Sequence, residues 1–498
     1  MLENLAVGFQ VAFTATNLLY CFAGVFLGTL VGVLPGIGPA GTIALLLPLS
    51  YGMDPSSAII MLAGIFYGSQ YGGSITSILV NIPGEPSTII TALDGHQMAR
   101  NGRAGPALGI SAFGSFIAGT ISVVIMMLVA QPLSHVVLKF GPPEYASLMV
   151  LALTFLTYLS SGSAIKAALM ALLGLAISQV GMDVITGETR FTFGLLKLQD
   201  GVGIIPLVMG IFGVAEVLSN LEGSLRHEVF KTRIKGLLPT LQDWKDSWGA
   251  ITRGTFIGFF LGLIPGAGVT IAPLVSYGVE RKLSNHPEKF GTGIIEGVAG
   301  PESANNGACT SNFIPLFILG IPTGGVTALL LGALMIHGLQ PGPMLITQSP
   351  TVFWGTIISM YIGNVFLLVL NLPLVGMWVK LLKIPYGVLF PLILFFCIIG
   401  AYSLNYSKYD VLVMIVFGVL GYLLKKFRYQ AAPLIMGFVL GDLLEKSLRQ
   451  SLLMSSGDPS IFVTRPISLS CLVIAVLLVL SPILLRKRSW RSAIETAP

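Results

Sequence analysis

The charged residues of this chain are confined to a few places. No Asp, Glu, Lys or Arg occurs from Asn4 to Met53, from Pro55 to Gly84, from Ala104 to Leu138 or from Ser303 to Val379. A bilayer-crossing helix needs about 20 apolar residues, so the last run alone has room for about three. The polar atoms to cover such runs in water are missing: 10% of the 498 residues are charged, against about 25% in an average soluble domain. The chain therefore reads as an all-α polytopic membrane protein. The apolar segments 39–50 and 325–337 are short for a crossing and read as half-helices or re-entrant hairpins; with such segments set aside, about 10–12 transmembrane crossings are expected.

One stretch invites a different reading. GVLPGIGPAG, residues 32–41, holds a literal G-x-G-x-x-G, and Asp54 follows at a spacing that suits a ribose-binding acid. A dinucleotide fold needs a strand, a water-exposed turn and a helix on a parallel sheet. Here the motif lies in a charge-free apolar run, and Pro39 would sit inside the glycine turn. The glycines and prolines are read instead as helix breaks, with Asp54 in a loop.

The basic residues lie beside apolar runs, where they orient the chain in the membrane; no nucleic-acid partner is implied. Residues 222–253 carry six Lys or Arg against four acids and read as a basic cytoplasmic linker, with Trp244 and Trp248 at the spacing of an interfacial helix. KKFR at 425–428 and RKRSWR at 486–491 are separated by two apolar segments, so both can lie on the cytoplasmic side, where the C-terminus is expected. MLENLAVGFQ has no basic region ahead of its apolar run, so the first segment is expected to be retained. No Cys-x-x-Cys, Cys/His metal spacing, nucleophile elbow, H-E-x-x-H or Walker motif occurs. Neither an enzyme nor a metal site nor a bound cofactor is expected.

Five blocks recur in order, about 230 residues apart. GVLPGIG (32–38) returns as GLIPGAG (262–268), and PLSYG (48–52) as PLVSYG (273–278). GGSITS (72–77) returns as NGACTS (306–311), NIPGEPST (81–88) as GIPTGGVT (320–327), and AGPAL (104–108) as PGPML (341–345). The chain is read as two homologous repeats, expected to be inverted, with broken helices or re-entrant hairpins. Residues 1–221 form the first transmembrane repeat, 222–253 the linker, 254–450 the second repeat, and 451–498 an extra helix with a basic tail. Transporters place their substrate where the broken helices of two repeats meet. Freed N–H groups and helix N-termini there suit an anion, and freed carbonyls suit a cation.

The candidate site follows from the breaks. Gly36 and Gly38 mark the first, Gly266 and Gly268 its echo. The first small-polar cluster supplies Ser74, Thr76, Ser77, Asn81 and Gly84. The second supplies Asn305, Asn306, Thr310, Ser311, Asn312, Thr323 and Gly324. Small polar residues also pack membrane helices closely, but two clusters in register within a duplication favour a site. Glu85 and Glu302 stand beside the breaks. Each either carries a coupling ion, sodium or proton, or sits in a water-exposed loop; the sequence leaves both open. Residues 91–105, with Asp94, His96, Arg100 and Arg103, read as a loop outside the membrane. His337 reads as a capping or packing residue.

The long blocks from Gly32 to Gly109 and from Gly300 to Met344 resemble the large membrane subunit (TctA-type) of bacterial tripartite tricarboxylate transporters. The likeness covers nearly the whole chain. It implies a secondary transporter of the bacterial inner membrane, importing a small carboxylate such as citrate under a sodium or proton gradient. It also implies a periplasmic solute-binding protein and a small membrane subunit of about four helices as partners. Thr76-Ser77 and Thr310-Ser311 resemble, more loosely, the hairpin tips of sodium-coupled dicarboxylate carriers. Gly72-Gly73 stands where the second half has Asn306-Gly307, so two equivalent cation sites do not follow. The rival reading is a passive anion channel.

Overall fold

The computed structural model describes residues 2–34, 38–81, 83–158, 163–183, 186–222, 236–266, 268–381 and 386–484. Among them the only strands are β1 (Gly181–Met182) and β2 (Thr189–Arg190), a short antiparallel hairpin. The protein is all-α, as its apolar runs require.

Before the linker come α1 (Leu2–Ala12), α2 (Ala15–Val33), α3 (Gly38–Ser50), α4 (Pro55–Val80), α5 (Ile89–Met98) and α6 (Ala104–Val137). They are followed by α7 (Pro142–Tyr158), α8 (Ala164–Ser178), α9 (Ile204–Val208) and α10 (Ala215–Glu222). After the linker come α11 (Leu241–Gly262), α12 (Gly268–Leu283), α13 (Glu296–Ser311), α14 (Gly325–Ile336), α15 (Leu345–Gln348) and α16 (Pro350–Asn371). The chain continues with α17 (Val375–Leu381), α18 (Tyr386–Asn405), α19 (Lys408–Lys426), α20 (Ala431–Met454), α21 (Ile461–Thr464) and α22 (Pro466–Leu484). Among the described residues three helical segments, Ala15–Val33, Pro86–Val137 and Pro350–Asn371, are long and apolar enough to cross a membrane. α3 and α14, each expected to be a half-helix, are among the shorter apolar ones.

Two helices are wrapped on all sides. Every residue of α4 from Ser56 to Leu79 is buried, as is every residue of α13 from Gly297 to Ser311. Small residues make that possible. Gly24, Gly28 and Gly32, four apart on α2, lie on the backbone of α4, and a Cβ on Gly28 would stand 2.5 Å from the Ile65 carbonyl oxygen. Gly254, Gly258 and Gly262 of α11 lie in the same way on Gly300, Ala304 and Ala308 of α13. Lipid is as apolar as leucine, so membrane helices associate through such close backbone approach.

Asp54 is the N-cap of α4: its carboxylate accepts from the N–H groups of Ser56 at 3.0 Å and Ser57 at 3.3 Å. α11 begins inside the basic stretch, where the Thr240 hydroxyl accepts from the Asp243 N–H at 3.2 Å and the Asp243 carboxylate accepts from the Thr240 N–H at 2.9 Å. This reciprocal cap satisfies two N–H groups that a helix start leaves bare. Trp244 packs on Phe113 with ring centroids 5.5 Å apart, while Trp248 is exposed. Residues 223–235 of the linker lie outside the described residues.

The stretch 91–105 is not a loop. It is the body of α5, a π-helical turn at Ala99–Arg103 and the start of α6, and Asp94 within it is fully buried. Its partners come from a distant part of the chain, so the local run of charges gives the wrong impression.

Candidate functional site

The breaks have the backbone that their residues permit. Gly38 opens α3 at φ +66°, and Gly266 sits at φ +83° between α11 and α12. Both values lie in the left-handed region that glycine adopts without cost. The Gly266 N–H donates to the Thr323 carbonyl at 2.8 Å, tying this break to the tip before α14. That tip is held by the Thr327 hydroxyl, which accepts from the N–H groups of Thr323 and Gly324, both at 2.8 Å. α4 ends at Asn81 in the left-handed conformation, and the π-helical turn Pro315–Leu319 ends at Gly320 in the same one.

Two adjoining cavities lie between these tips. The smaller, of about 230 Å³, is walled by Gly268–Ile271 at the start of α12, by Thr323–Thr327 at the start of α14, and by Glu85, Pro86 and Ser87. The larger, of about 480 Å³, is walled by Gly38–Gly41 at the start of α3, by Pro83–Pro86, and by Glu216 and Lys425. Pro39, Glu85, Pro86, Gly325, Val326 and Ala432 belong to both walls. Three helix N-termini therefore open onto one joined space.

The smaller cavity sets polar side chains among apolar ones and carries little charge. Gln70, Ser87, Asn312, Thr323, Thr327 and Gln430 line it, and Glu85 is the one charged residue among the described lining residues. Ser87 donates to Gln70 at 2.8 Å. With its amide nitrogen turned toward them, Asn312 donates to the Gly262 carbonyl at 2.6 Å and to the Thr323 hydroxyl at 3.2 Å.

Of the residues expected at the site, Gly38, Gly84, Glu85, Gly266, Gly268, Thr323 and Gly324 line the two cavities. Gly36 lies outside the described residues. Asn81 is exposed at the C-cap of α4 and faces neither cavity. Ser74, Thr76, Ser77, Asn305, Asn306, Thr310, Ser311 and Glu302 are buried within α4 and α13, off the cavity walls. Asn312, offered by the second small-polar cluster, also lines the smaller cavity. Gln70, Ser87, Thr327 and Gln430 are lining residues that the sequence reading missed. Gln70 stands beside the first small-polar cluster and could have been found there. Gln430 carries no local signal.

Glu302 is the hub of the buried cluster. Its carboxylate accepts from the hydroxyls of Ser74 at 2.5 Å, Ser111 at 3.0 Å and Thr91. Asn306 extends the network, donating to Ser115 at 2.7 Å and to the Glu302 carbonyl at 3.2 Å. The donors come from α4, α5 and α6, so one side chain joins helices on both sides of the linker. A second join is Asp94, which accepts from the Tyr277 hydroxyl at 2.9 Å and from the N–H groups of Gly291 at 2.9 Å, Gly293 at 2.7 Å and Ile294 at 3.1 Å. His337 caps α14, with Nε2 3.4 Å from the Ser50 hydroxyl.

Comparison with known proteins adds sequence kinship. The sequence model of the tripartite tricarboxylate transporter TctA family matches residues 18–436. An uncharacterised 52.8 kDa protein in the TAR-I ttuC' 3' region of Agrobacterium vitis is 49% identical over 494 residues, 99% of this chain and 98% of that one. A second uncharacterised protein, in the TAR-II ttuC' 3' region of the same organism, is 52% identical over 234 residues, 46% of this chain and 97% of that one. An uncharacterised protein of Methanocaldococcus jannaschii is 25% identical over 210 residues, 41% of this chain and 51% of that one. No solved structure matches.

Proposed function

Because the chain belongs to the tripartite tricarboxylate transporter TctA family, we propose that it imports a small organic carboxylate, citrate-like in class, by alternating access between two homologous repeats. The protein is a membrane transporter subunit. The finer reading places it as a multi-pass protein of the bacterial inner membrane. A periplasmic solute-binding protein delivers the substrate, a small membrane subunit of about four helices accompanies the chain, and a sodium or proton gradient drives uptake.

One observation carries the substrate class: the N-terminal turns of α3, α12 and α14 open onto a joined space whose smaller part has a single charged residue. Each helix N-terminus presents unpaired N–H groups and about half a positive charge, worth about 0.3–2 kcal/mol to an anion in place. Carboxylates are then held by N–H groups with Asn312, Thr323 and Ser87 beside them. Unwound carbonyls, with a buried carboxylate beside them, hold the coupling ion.

The duplication gains support from spacing. Gly24, Gly28, Gly32 and Gly38 stand each 230 positions before Gly254, Gly258, Gly262 and Gly268. In both sets three glycines press a helix onto a buried partner and the fourth opens the next helix.

Uptake of labelled carboxylates into proteoliposomes, with the partner subunits present and sodium or proton gradients imposed, tests the mechanism. Accumulation that follows one gradient is expected. Uptake indifferent to both gradients overturns the coupled mechanism, and ionic conductance without a binding protein points to a passive channel.

A further inference from the structure

Glu85 and Glu302 are both buried carboxylates, but their surroundings differ in kind. Glu302 is satisfied by three hydroxyls and lies off the cavities. Glu85 is 8% exposed, stands on the wall between the two cavities, and its Oε1 has no hydrogen-bond partner among the described residues. The start of α3 lies close by, since a Cβ on Gly38 would be 3.9 Å from that oxygen. No N–H of the described residues reaches it. The two sides of the wall also differ. Among the described residues the smaller cavity has no other charged one, whereas the larger adds Glu216 and Lys425, themselves paired at 2.8 Å. The charged or titratable groups around Glu85, among the described residues, are those two and the buried thiol of Cys309 on α13.

A bare carboxylate in this position repels an organic anion in the smaller cavity and is itself costly to keep charged away from water. A monovalent cation relieves both at once. Resting on the transport reading above, we propose that Glu85 is the group through which ion and substrate are coupled. A sodium ion or proton reaches it from the larger cavity, and the neutralised side chain then admits a carboxylate to the smaller one. Glu302 is a structural hub and carries no coupling ion.

The test uses the full chain with its partner subunits in proteoliposomes and a labelled panel of succinate, malate and citrate. Sodium and pH gradients are imposed in separate arms, which tell the two ions apart. In Glu85→Gln, gradient-driven accumulation should fall about tenfold or more. Exchange of internal for external carboxylate without a gradient should survive in that variant but lose its dependence on sodium or pH. Glu302→Gln should keep the gradient dependence of the wild type. If Glu85→Gln accumulates substrate as the wild type does, or loses exchange together with accumulation, the assignment is wrong. It is equally wrong if Glu302→Gln is the uncoupled variant. Wild-type protein that transports no member of the panel sinks the underlying transport reading instead.

Discussion

Among the described residues Glu302 faces three hydroxyls and no cation, and that sets what its neighbours are worth. A buried carboxylate loses its water on folding, and each hydroxyl replaces part of it. Removing one donor leaves a charged acceptor short of a partner, at a cost of about 1.5–3 kcal/mol. Thr91→Val and Ser111→Ala should each lower the midpoint of thermal unfolding in detergent by several degrees. Ser470→Ala removes a hydroxyl that donates within its own helix from an exposed position, and it should leave the midpoint where it is. A flat response at Thr91 and Ser111 would mean that the Glu302 network contributes little. The sequence marked Glu302 and Ser74 as notable but not as partners, because bonds between residues on opposite sides of the linker have no local signature. Asn81 went the other way. It was chosen for its place in a polar motif, yet its job is to turn the chain at the end of α4, where asparagine tolerates a left-handed backbone.

At the scale of elements, glycine has two opposite meanings here, and the surrounding space decides between them. Gly28 and Gly258 separate buried helix pairs by less than a side chain. Gly278 on α12 has nothing within 4 Å of where a Cβ would stand. Gly28→Ala and Gly258→Ala should therefore destabilise, each forcing two backbones apart, and the yield of monodisperse protein on gel filtration should fall. Gly278→Ala should be neutral or stabilising by up to about 1 kcal/mol, the ordinary gain of alanine over glycine in a helix. Gly266 combines both demands, since its φ is +83° and a Cβ would lie 2.8 Å from the Leu156 Cα. Gly266→Leu should abolish uptake while membrane insertion, followed by fractionation, persists. Breaks of this kind were legible in the sequence because proline and glycine act locally. The half-helix α3, read as residues 39–50, runs Gly38–Ser50, and α14, read as 325–337, runs Gly325–Ile336. Gln430 and the burial of Asp94 were not legible, because each depends on which distant segment comes to lie against it.

Across the whole molecule, the chain before the linker and the chain after it are held by buried polar ties as well as by packing. Arg103 pairs with Asp243 in the first turn of α11. Burial alone would raise the Asp243 pKa, but the N–H and hydroxyl of Thr240 and the Arg103 guanidinium together hold it below the usual carboxylate range. A folded-state value below the unfolded value of about 3.9 means that this tie is whole above that pH and is lost as pH falls through the folded value. Unfolding midpoints measured from pH 6 downward should drop more steeply in the wild type than in Asp243→Asn. The Asp94 and Glu302 ties are buried deeper and do not pass through the linker at all. If they and the helix contacts hold the molecule together, the linker peptide itself is dispensable for assembly. A protein expressed as two chains, cut between Glu228 and Val229, should then co-purify on a tag attached to the first chain alone. Asp94→Ala should weaken that association, because it strands the N–H groups of Gly291, Gly293 and Ile294 without an acceptor. Separation of the wild-type pair in mild detergent would show that the linker, and not these buried ties, keeps the cavity walls in register.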